Sequence, residues 1–283
     1  MLKKPEWLRV SGNRSLNNDA VAGVLKALKL NTVCNEAACP NHMECFSRKT
    51  ATFMILGTAC TRNCRFCNVR HEPPESPEID EPERISQAVS ELDMRYVVIT
   101  SVTRDDLPDG GAAHFADVIH AIRFRSPKTA IEVLIPDFGG DAAALKIVTD
   151  ALPDAISHNM ETVSVLYSAV RPQAVYTRSL ELLANVKRLN PVIRSKSGIM
   201  LGLGETEAQV YELFDDLREV GCEFLTIGQY LAPTRNHLPV FEYIEPHRFE
   251  EYGEAARNKG FAFVASAPLV RSSYHADEAL SKA

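Results

Sequence analysis

The chain has 283 residues, 45% hydrophobic and 24% charged, with a formal net charge of −6. That is enough apolar material for one barrel-sized domain or two modest ones. The acidic balance excludes a nucleic-acid binder that works by phosphate neutralisation, and no apolar run approaches the ~20 residues of a membrane span. The start, Met1-Leu2-Lys3-Lys4-Pro5-Glu6-Trp7, lacks the apolar core of a signal peptide and the Arg/Ser richness of a transit peptide. A soluble cytoplasmic protein is expected, with neither a nucleic acid nor a membrane as partner.

In chain order, an N-terminal segment over roughly 1–50 stands outside any regular alternation and carries Cys34-x4-Cys39-x5-Cys45. A first strand is predicted over Thr52–Gly57, and a second cysteine triplet, Cys60-x3-Cys64-x2-Cys67, follows it directly. Glu72–Pro82 is a proline-rich loop. Further strands are predicted over Arg95–Ser101, Ala130–Pro136, Ala155–Asn159, Ser197–Leu203 and Glu223–Tyr230. Helices are predicted over Glu83–Asp93, Ala112–Arg125, Asp141–Ala151, Val175–Leu189 and Thr206–Val220. Strand–helix alternation reads as βαβ units on a parallel sheet, and near-continuous apolar strands such as Tyr96-Val97-Val98-Ile99 fit a sheet covered by helices. Six such units point to an incomplete barrel or an open sheet rather than a closed eight-unit barrel. A C-terminal tail begins near residue 265, with boundaries good to about 2–4 residues.

Six of the seven cysteines lie between Cys34 and Cys67. Clustered thiolates are the ligands of zinc and of iron–sulfur clusters. A disulfide framework belongs to small, loop-rich secreted domains, whereas the cysteine-poor remainder here can build its own core. Each triplet leaves one metal position without a cysteine. His42 offers a Cys3His zinc site for the first, and His71 one for the second, although the x3/x2 spacing suits a zinc finger poorly. Cys222 reads as a buried small apolar residue. In parallel α/β folds the chemistry gathers at the carboxyl ends of the strands. This directs attention to Thr100 through Gly110 and Gly111, His158 to Glu161, Lys196, Gly202 to Glu205, and Gly228 to Tyr230.

The second triplet after a first strand resembles the radical S-adenosylmethionine (SAM) superfamily. The combination is narrower. Cys34-x4-Cys39-Pro40-Asn41-x3-Cys45, Cys60-Thr61-Arg62-x-Cys64-Arg65-Phe66-Cys67, Thr103-Arg104-Asp105-Asp106-Leu107-Pro108-Asp109-Gly110-Gly111, His158-Asn159-Met160-Glu161, Lys196-Ser197-Gly198, Gly202-Leu203-Gly204-Glu205, Gly228-Gln229-Tyr230 and the terminal Arg271-Ser272-Ser273-Tyr274 resemble the lipoyl synthase family over nearly the whole chain.

That resemblance implies a partial (β/α)6 TIM-type barrel of the radical SAM kind. Residues 51–265 would form the core, 1–50 an extension with cluster ligands, and 266–283 a tail. It implies two [4Fe–4S] clusters and SAM. Cys60, Cys64 and Cys67 would hold the cluster that binds and cleaves SAM. Cys34, Cys39 and Cys45, with a serine of the terminal motif (Ser273, or else Ser272), would hold an auxiliary cluster that donates sulfur. The implied reaction inserts two sulfur atoms at carbons 6 and 8 of a protein-bound octanoyl-lysine. Cofactor contacts are expected from Phe66, Thr100, Gly110, Gly111, Asn159, Glu161, Lys196, Gly202 and Gln229. For several of these an ordinary role competes: a glycine turn, a satisfied strand-end hydrogen bond, or a helix cap for the serines.

Expected partners are octanoylated lipoyl carrier domains of 2-oxoacid dehydrogenase subunits and of the glycine cleavage carrier protein, with ferredoxin or flavodoxin as reductant. A monomer is expected. Arg62, Arg65 and Arg70, interleaved with the second triplet, compensate an anionic cluster or dock an acidic carrier. The alternatives are another two-cluster radical SAM enzyme, or a non-enzymatic metal-binding or redox-sensing module.

Overall fold

A computed structural model describes residues 2–9, 16–37, 39–48, 50–274 and 276–281. The remaining residues of the expected N- and C-terminal extensions lie outside it. Among the described residues seven strands are hydrogen-bonded in chain order, an order that does not close into a barrel. By compactness the chain divides into two units, residues 10–62 with 68–156, and residues 1–9 with 63–67 and 157–283.

The first of these units contains α1 (Leu16–Ala27), α2 (Val33–Glu36), α3 (His42–Ser47), β1 (Thr52–Ile55), α4 (Glu81–Glu91), β2 (Tyr96–Ser101), α5 (Ala112–Arg125), β3 (Ala130–Leu134) and α6 (Ala142–Asp150). β1, β2 and β3 are parallel, with Thr52 opposite Val98 and Tyr96 opposite Ala130. Both β1 and β2 are buried along almost their whole length, as their apolar runs require of strands covered on both faces. Thr32 makes an antiparallel bridge to Phe53, so the segment carrying the first triplet lies along the outer edge of β1. α5 begins where Asp109 accepts from the backbone N–H groups of Gly111 and Ala113 at 2.9 and 2.8 Å, a side-chain cap on orphan helix donors.

β4 (Ala155–Ser157) spans the boundary between the units, and the other unit continues through α7 (Tyr167–Val170), α8 (Tyr176–Leu189), β5 (Arg194–Leu201), α9 (Glu207–Glu219), β6 (Phe224–Gln229), α10 (Pro246–Asn258), β7 (Phe263–Ser266) and α11 (Ala276–Ser281). α9 starts on a capping box between Thr206 and Gln209 and buries Val210, Leu213, Phe214 and Leu217, one face of a 3.6-residue period. β5, β6 and β7 run parallel, with Lys196 opposite Phe224 and Phe224 opposite Phe263.

The expected alternation is present, with α5 at its predicted bounds. β5 begins three residues earlier than expected, at Arg194. α10 and β7 form a seventh unit that the sequence reading left unassigned. α10 is dominated by charge, and only Phe249, Tyr252, Gly253 and Ala256 face inward; β7 is four half-buried residues. Neither gives a strong periodic signal. Among the described residues no helix is long and apolar enough to cross a membrane.

At Gly228 on β6, a Cβ would lie 2.1 Å from the Val270 carbonyl oxygen, while Gln229 N–H donates to Pro268 O at 3.1 Å. The segment after β7 thus lies directly against β6. Replacing Gly228 by Ala is expected to lower unfolding free energy by about 1–3 kcal/mol through this overpacking. Urea denaturation is expected to show a lower midpoint at unchanged slope.

Candidate active site

The exit from β1 is clamped. Leu56 adopts φ 68° and Gly57 φ 90°, left-handed backbone that a branched residue adopts only when held there. The Leu56 N–H donates to the buried Glu81 carboxylate at 2.9 Å, and its carbonyl accepts from the Arg104 guanidinium at 3.1 Å. Glu81 is also bound by His114 at 2.7 Å, and Arg104 by Asp106 through two contacts of 2.8 and 2.9 Å. The chain then turns into the cysteine loop.

On the Cys60 side the loop is fastened to the segment after β2. The Thr61 N–H and hydroxyl both donate to Thr103 O at 3.0 Å. The Cys60 sulfur accepts backbone N–H groups from Thr103 and Arg62 at 3.3 and 3.4 Å. Hydrogen bonds to a ligand sulfur are among the features that tune the potential of a cluster. Arg62 donates to Asp105 at 2.7 and 2.8 Å and to Asp137 at 2.6 Å. Its side chain is only 7% exposed. This corrects the docking reading for Arg62: the guanidinium is an internal strut, held charged by its two carboxylates despite burial. Arg104 pairs with Asp106 whereas Asp105 pairs with Arg62, so Arg104, Asp105 and Asp106 do not form one local network, and Arg65 and Arg70 are exposed.

On the side of Cys64 and Cys67, half-buried like Phe66 between them, the contacts come from other segments. Asn63 N–H donates to the Gln173 side chain at 2.5 Å, Arg65 N–H to Val170 O at 3.0 Å, and Leu238 N–H to Arg65 O at 3.1 Å. His237 Nε2 donates to the Cys67 carbonyl at 3.0 Å. Sequence reasoning gave Arg171 and Gln173 no role and left Arg235 and His237 unassigned. Nothing in local spacing links a residue near 237 to one near 67.

Cys34 lies on α2 behind the Thr32 cap, Cys39 N–H closes onto Cys34 O at 3.1 Å, and Cys45 lies on α3 with its carbonyl held by Thr50 N–H at 2.9 Å. The three sulfurs sit in one another's electrostatic field. Burial pushes the Cys34 thiol up to about 11, and the Cys39 thiol beside it adds to the shift. Burial, then Cys34 and Cys39, push Cys45 up to about 12. One buried and two half-buried thiols, near enough to influence one another's ionisation, suit a site completed by a cation. His42 Nδ1 meets the Cys39 carbonyl at 3.2 Å, which makes this nitrogen a donor. Among the described residues no three Cys, His, Asp or Glu side chains gather tightly enough for a single ion.

The strand-end residues separate into two kinds. Asn159 Nδ2 donates to Glu161 at 3.0 Å, while its Oδ1 is buried without a partner. Glu161 is held at φ 67°, its N–H and carbonyl bonded to Gly198 and Met200 of β5 at 3.0 and 2.8 Å. Arg171 braces this turn from outside, donating to Asn159 O at 2.7 Å. An orphaned acceptor beside a strained acidic residue is what a ligand site looks like before its ligand. Lys196 is fully buried on β5.

Gln229, by contrast, is absorbed by the fold. Its Nε2 faces the carbonyls of Leu201, Tyr230 and Glu242, each at 3.0 Å, and its Oε1 accepts from Ile244 N–H at 2.8 Å. Thr100 donates to Leu134 O at 2.9 Å. Gly110 and Gly111 both have positive φ, and a Cβ would meet Phe138 at 2.9 Å in one case and Leu56 at 2.3 Å in the other. At Gly202 a Cβ would lie 2.3 Å from both Gln229 and Glu242 O. For these four positions the ordinary packing reading accounts for the residue type. Ser272 and Ser273 are half-buried in the turn before α11, and neither directly precedes that helix.

Comparisons with known proteins give the family and the fold. The Radical SAM superfamily matches residues 54–217. Among solved structures, HydG, a maturase of the [FeFe]-hydrogenase, superposes with a TM-score of 0.63 at 15% identity, over 94% of this chain and 66% of that one. Streptococcus suis SuiB bound to S-adenosylmethionine superposes with a TM-score of 0.59 at 11% identity, over 80% of this chain and 53% of that one. At those identities the likeness is one of fold. The chain is a radical SAM protein.

Curated lipoyl synthases lie much nearer. That of Alkaliphilus metalliredigens is 57% identical over 99% of this chain and 97% of the relative, and that of Desulfotalea psychrophila 54% identical over 99% and 94%. The chain belongs to the lipoyl synthase family. It is an enzyme of the radical SAM sulfurtransferase type, with SAM and [4Fe–4S] clusters as cofactors, and its reaction inserts two sulfur atoms into a protein-bound octanoyl group. A sensor module and a radical SAM enzyme of other chemistry are thereby set aside.

Burial holds the Glu161 carboxyl above its ordinary value of 4.5, an effect that Arg171, Asn159 and Arg271 offset in part. The folded state therefore binds this proton more tightly than the unfolded chain, and Glu161 subtracts stability as pH rises above 4.5. Glu161→Gln is expected to make the cluster-free protein at least as stable as the parent at pH ~8, with the difference shrinking as pH falls toward ~4. Urea unfolding across that range measures it.

Proposed function

We propose that Cys60, Cys64 and Cys67 hold one [4Fe–4S] cluster and leave its fourth iron to SAM. Cys34, Cys39 and Cys45, with Ser273, hold a second cluster that supplies the sulfur. The observation that supports this reading is local geometry: a loop sulfur at Cys60 that accepts two backbone N–H groups, and Cys34, Cys39 and Cys45 carried on α2, the segment after it and α3, with Cys39 N–H closing onto Cys34 O. Ser273 stands in the turn that follows the Val270 contact with β6, and Ser272 is the alternative ligand.

When bound, the first cluster supplies a reductive cleavage of SAM to a radical able to abstract hydrogen from unactivated carbons 6 and 8, chemistry that no side chain provides. The chain's own residues bind and orient. Asn159, through its orphaned Oδ1, and Glu161 are the best-placed contacts for the cofactor's polar groups. Phe66 lies between the last two cysteines in the chain, and Lys196, fully buried near the start of β5 rather than at its carboxyl end, is a further candidate contact. Thr100, Gly110, Gly111, Gly202 and Gln229 shape the walls by backbone and packing. The substrates are octanoylated lipoyl carrier domains of 2-oxoacid dehydrogenases and of the glycine cleavage carrier, with ferredoxin or flavodoxin as reductant. The enzyme works as a cytoplasmic monomer.

Anaerobically reconstituted protein given SAM, reductant and an octanoyl-lysyl peptide is expected to produce 5′-deoxyadenosine and a peptide heavier by two sulfurs. Ser273→Ala is expected to reduce sulfur insertion about 10-fold or more while deoxyadenosine formation persists. Unchanged insertion in that variant, with loss in Ser272→Ala, moves the ligand to Ser272. Unchanged insertion in both refutes serine ligation.

A further inference from the structure

The segment Asn63–Cys67 is poorly anchored by apolar contact. Asn63 and Arg65 are exposed, and Cys64, Phe66 and Cys67 only half-buried. Ordering each such residue costs backbone entropy, and each net hydrogen bond returns a free energy of the same order. The polar contacts therefore decide whether this loop is fixed. Of the side chains involved, one touches a cysteine's own peptide group. His237 Nε2 lies 3.0 Å from the Cys67 carbonyl.

A carbonyl only accepts, so Nε2 is the donor to it. Nδ1 pairs with the Thr234 hydroxyl at 2.9 Å, which fixes the orientation of the ring. The Thr234 oxygen also accepts from Asn236 N–H at 3.2 Å. The next residue is fastened twice: Leu238 N–H donates to Arg65 O at 3.1 Å, and Leu238 O accepts from the Tyr230 hydroxyl at 2.8 Å. The Cys67 N–H meanwhile closes onto Cys64 O at 3.1 Å. Both ends of the Cys67 main chain are thus restrained, and with them the direction in which its Cβ carries the sulfur.

We propose that His237, its ring oriented by Thr234, is a positioning residue for the SAM-cluster loop. This rests on the assignment of Cys64 and Cys67 as cluster ligands. His237 acts through the Cys67 carbonyl, as outer partners of metal ligands do. The coupling runs both ways, since a contact that orders the loop for the cluster lets the cluster order the segment bearing the contact. The 231–239 segment is therefore firmer in cluster-loaded protein than in cluster-free protein.

The test uses the full chain, anaerobically reconstituted, as parent, His237→Ala, His237→Gln, Thr234→Val and the Ala/Val double variant. The readouts are the SAM-dependent electron paramagnetic resonance signal of the reduced cluster, iron loss to a chelator, and hydrogen exchange at the Leu238 amide with and without cluster. His237→Ala is expected to lose the SAM-responsive signal about 10-fold faster under chelator. Gln, which places an N–H donor at similar reach, restores retention. Thr234→Val is intermediate, and the double variant is no worse than His237→Ala because the two residues act in series. The Leu238 amide exchanges more slowly in loaded parent than in cluster-free parent.

Parent-like retention in His237→Ala, a Gln variant as defective as Ala, or additive effects in the double variant each overturn the proposal. If His237→Ala does not fold by far-UV circular dichroism, Thr234→Val and the Leu238 exchange decide. A Cys64→Ala control separates the two levels. If it keeps the SAM-responsive signal, the ligand assignment fails; if it loses the signal while His237→Ala does not, only the positioning role fails.

Discussion

The arrangement around the cysteine loop depends on how the chain leaves β1. A leucine and a glycine in succession take left-handed backbone at Leu56 and Gly57, and the leucine alone costs about 1–2 kcal/mol. What sustains it is a carboxylate on its N–H and a guanidinium on its carbonyl, from Glu81 and Arg104. The run after β2 that supplies Arg104 also supplies the Thr103 N–H that meets the Cys60 sulfur. One short segment therefore both bends the exit and receives the first ligand residue. This is possible because parallel neighbours end on the same side of a sheet.

The Leu56 turn also explains its surroundings. Gly111 is a glycine because the Leu56 side chain occupies the place its Cβ would take. Asp109, two residues before, caps α5. The Asp-Gly-Gly run, which looks like a ligand cradle in sequence, is the packing partner of a strained turn. Arg62 follows the same logic: a residue that resembles surface charge is tied by Asp105 and Asp137 into the body of its unit. Its charge is matched locally, which leaves Arg65 and Arg70 as the exposed arginines beside the triplet.

Cysteine spacing was legible in the sequence because ligation imposes a chemical rule on residues close in the chain. The strands from β1 to β6 were legible because continuous apolar runs have few other uses, and α5 because its alanines, phenylalanine and isoleucines leave one solution. α10 and β7 were not, since one is charged around most of its surface and the other is four residues long. Among the strand-end residues, Asn159 and Glu161 kept the character of ligand groups, whereas Gln229 proved to be a cross-brace for the backbone at Leu201, Glu242 and Ile244. Both kinds are polar residues at the end of a buried strand. Only partners distant in the chain distinguish them, and no local pattern encodes those partners.

The contact of Gly228 with the Val270 carbonyl bears on the serines beyond it. Three residues of chain reach at most about 10–11 Å, so Ser273 is leashed to a fixed point on β6. A serine oxygen is a weak ligand when free in solution. On so short a tether its effective concentration is millimolar or more for a partner within that radius and near zero for one beyond it. A side chain of low intrinsic affinity can therefore act there, and only toward what comes within that short distance of β6.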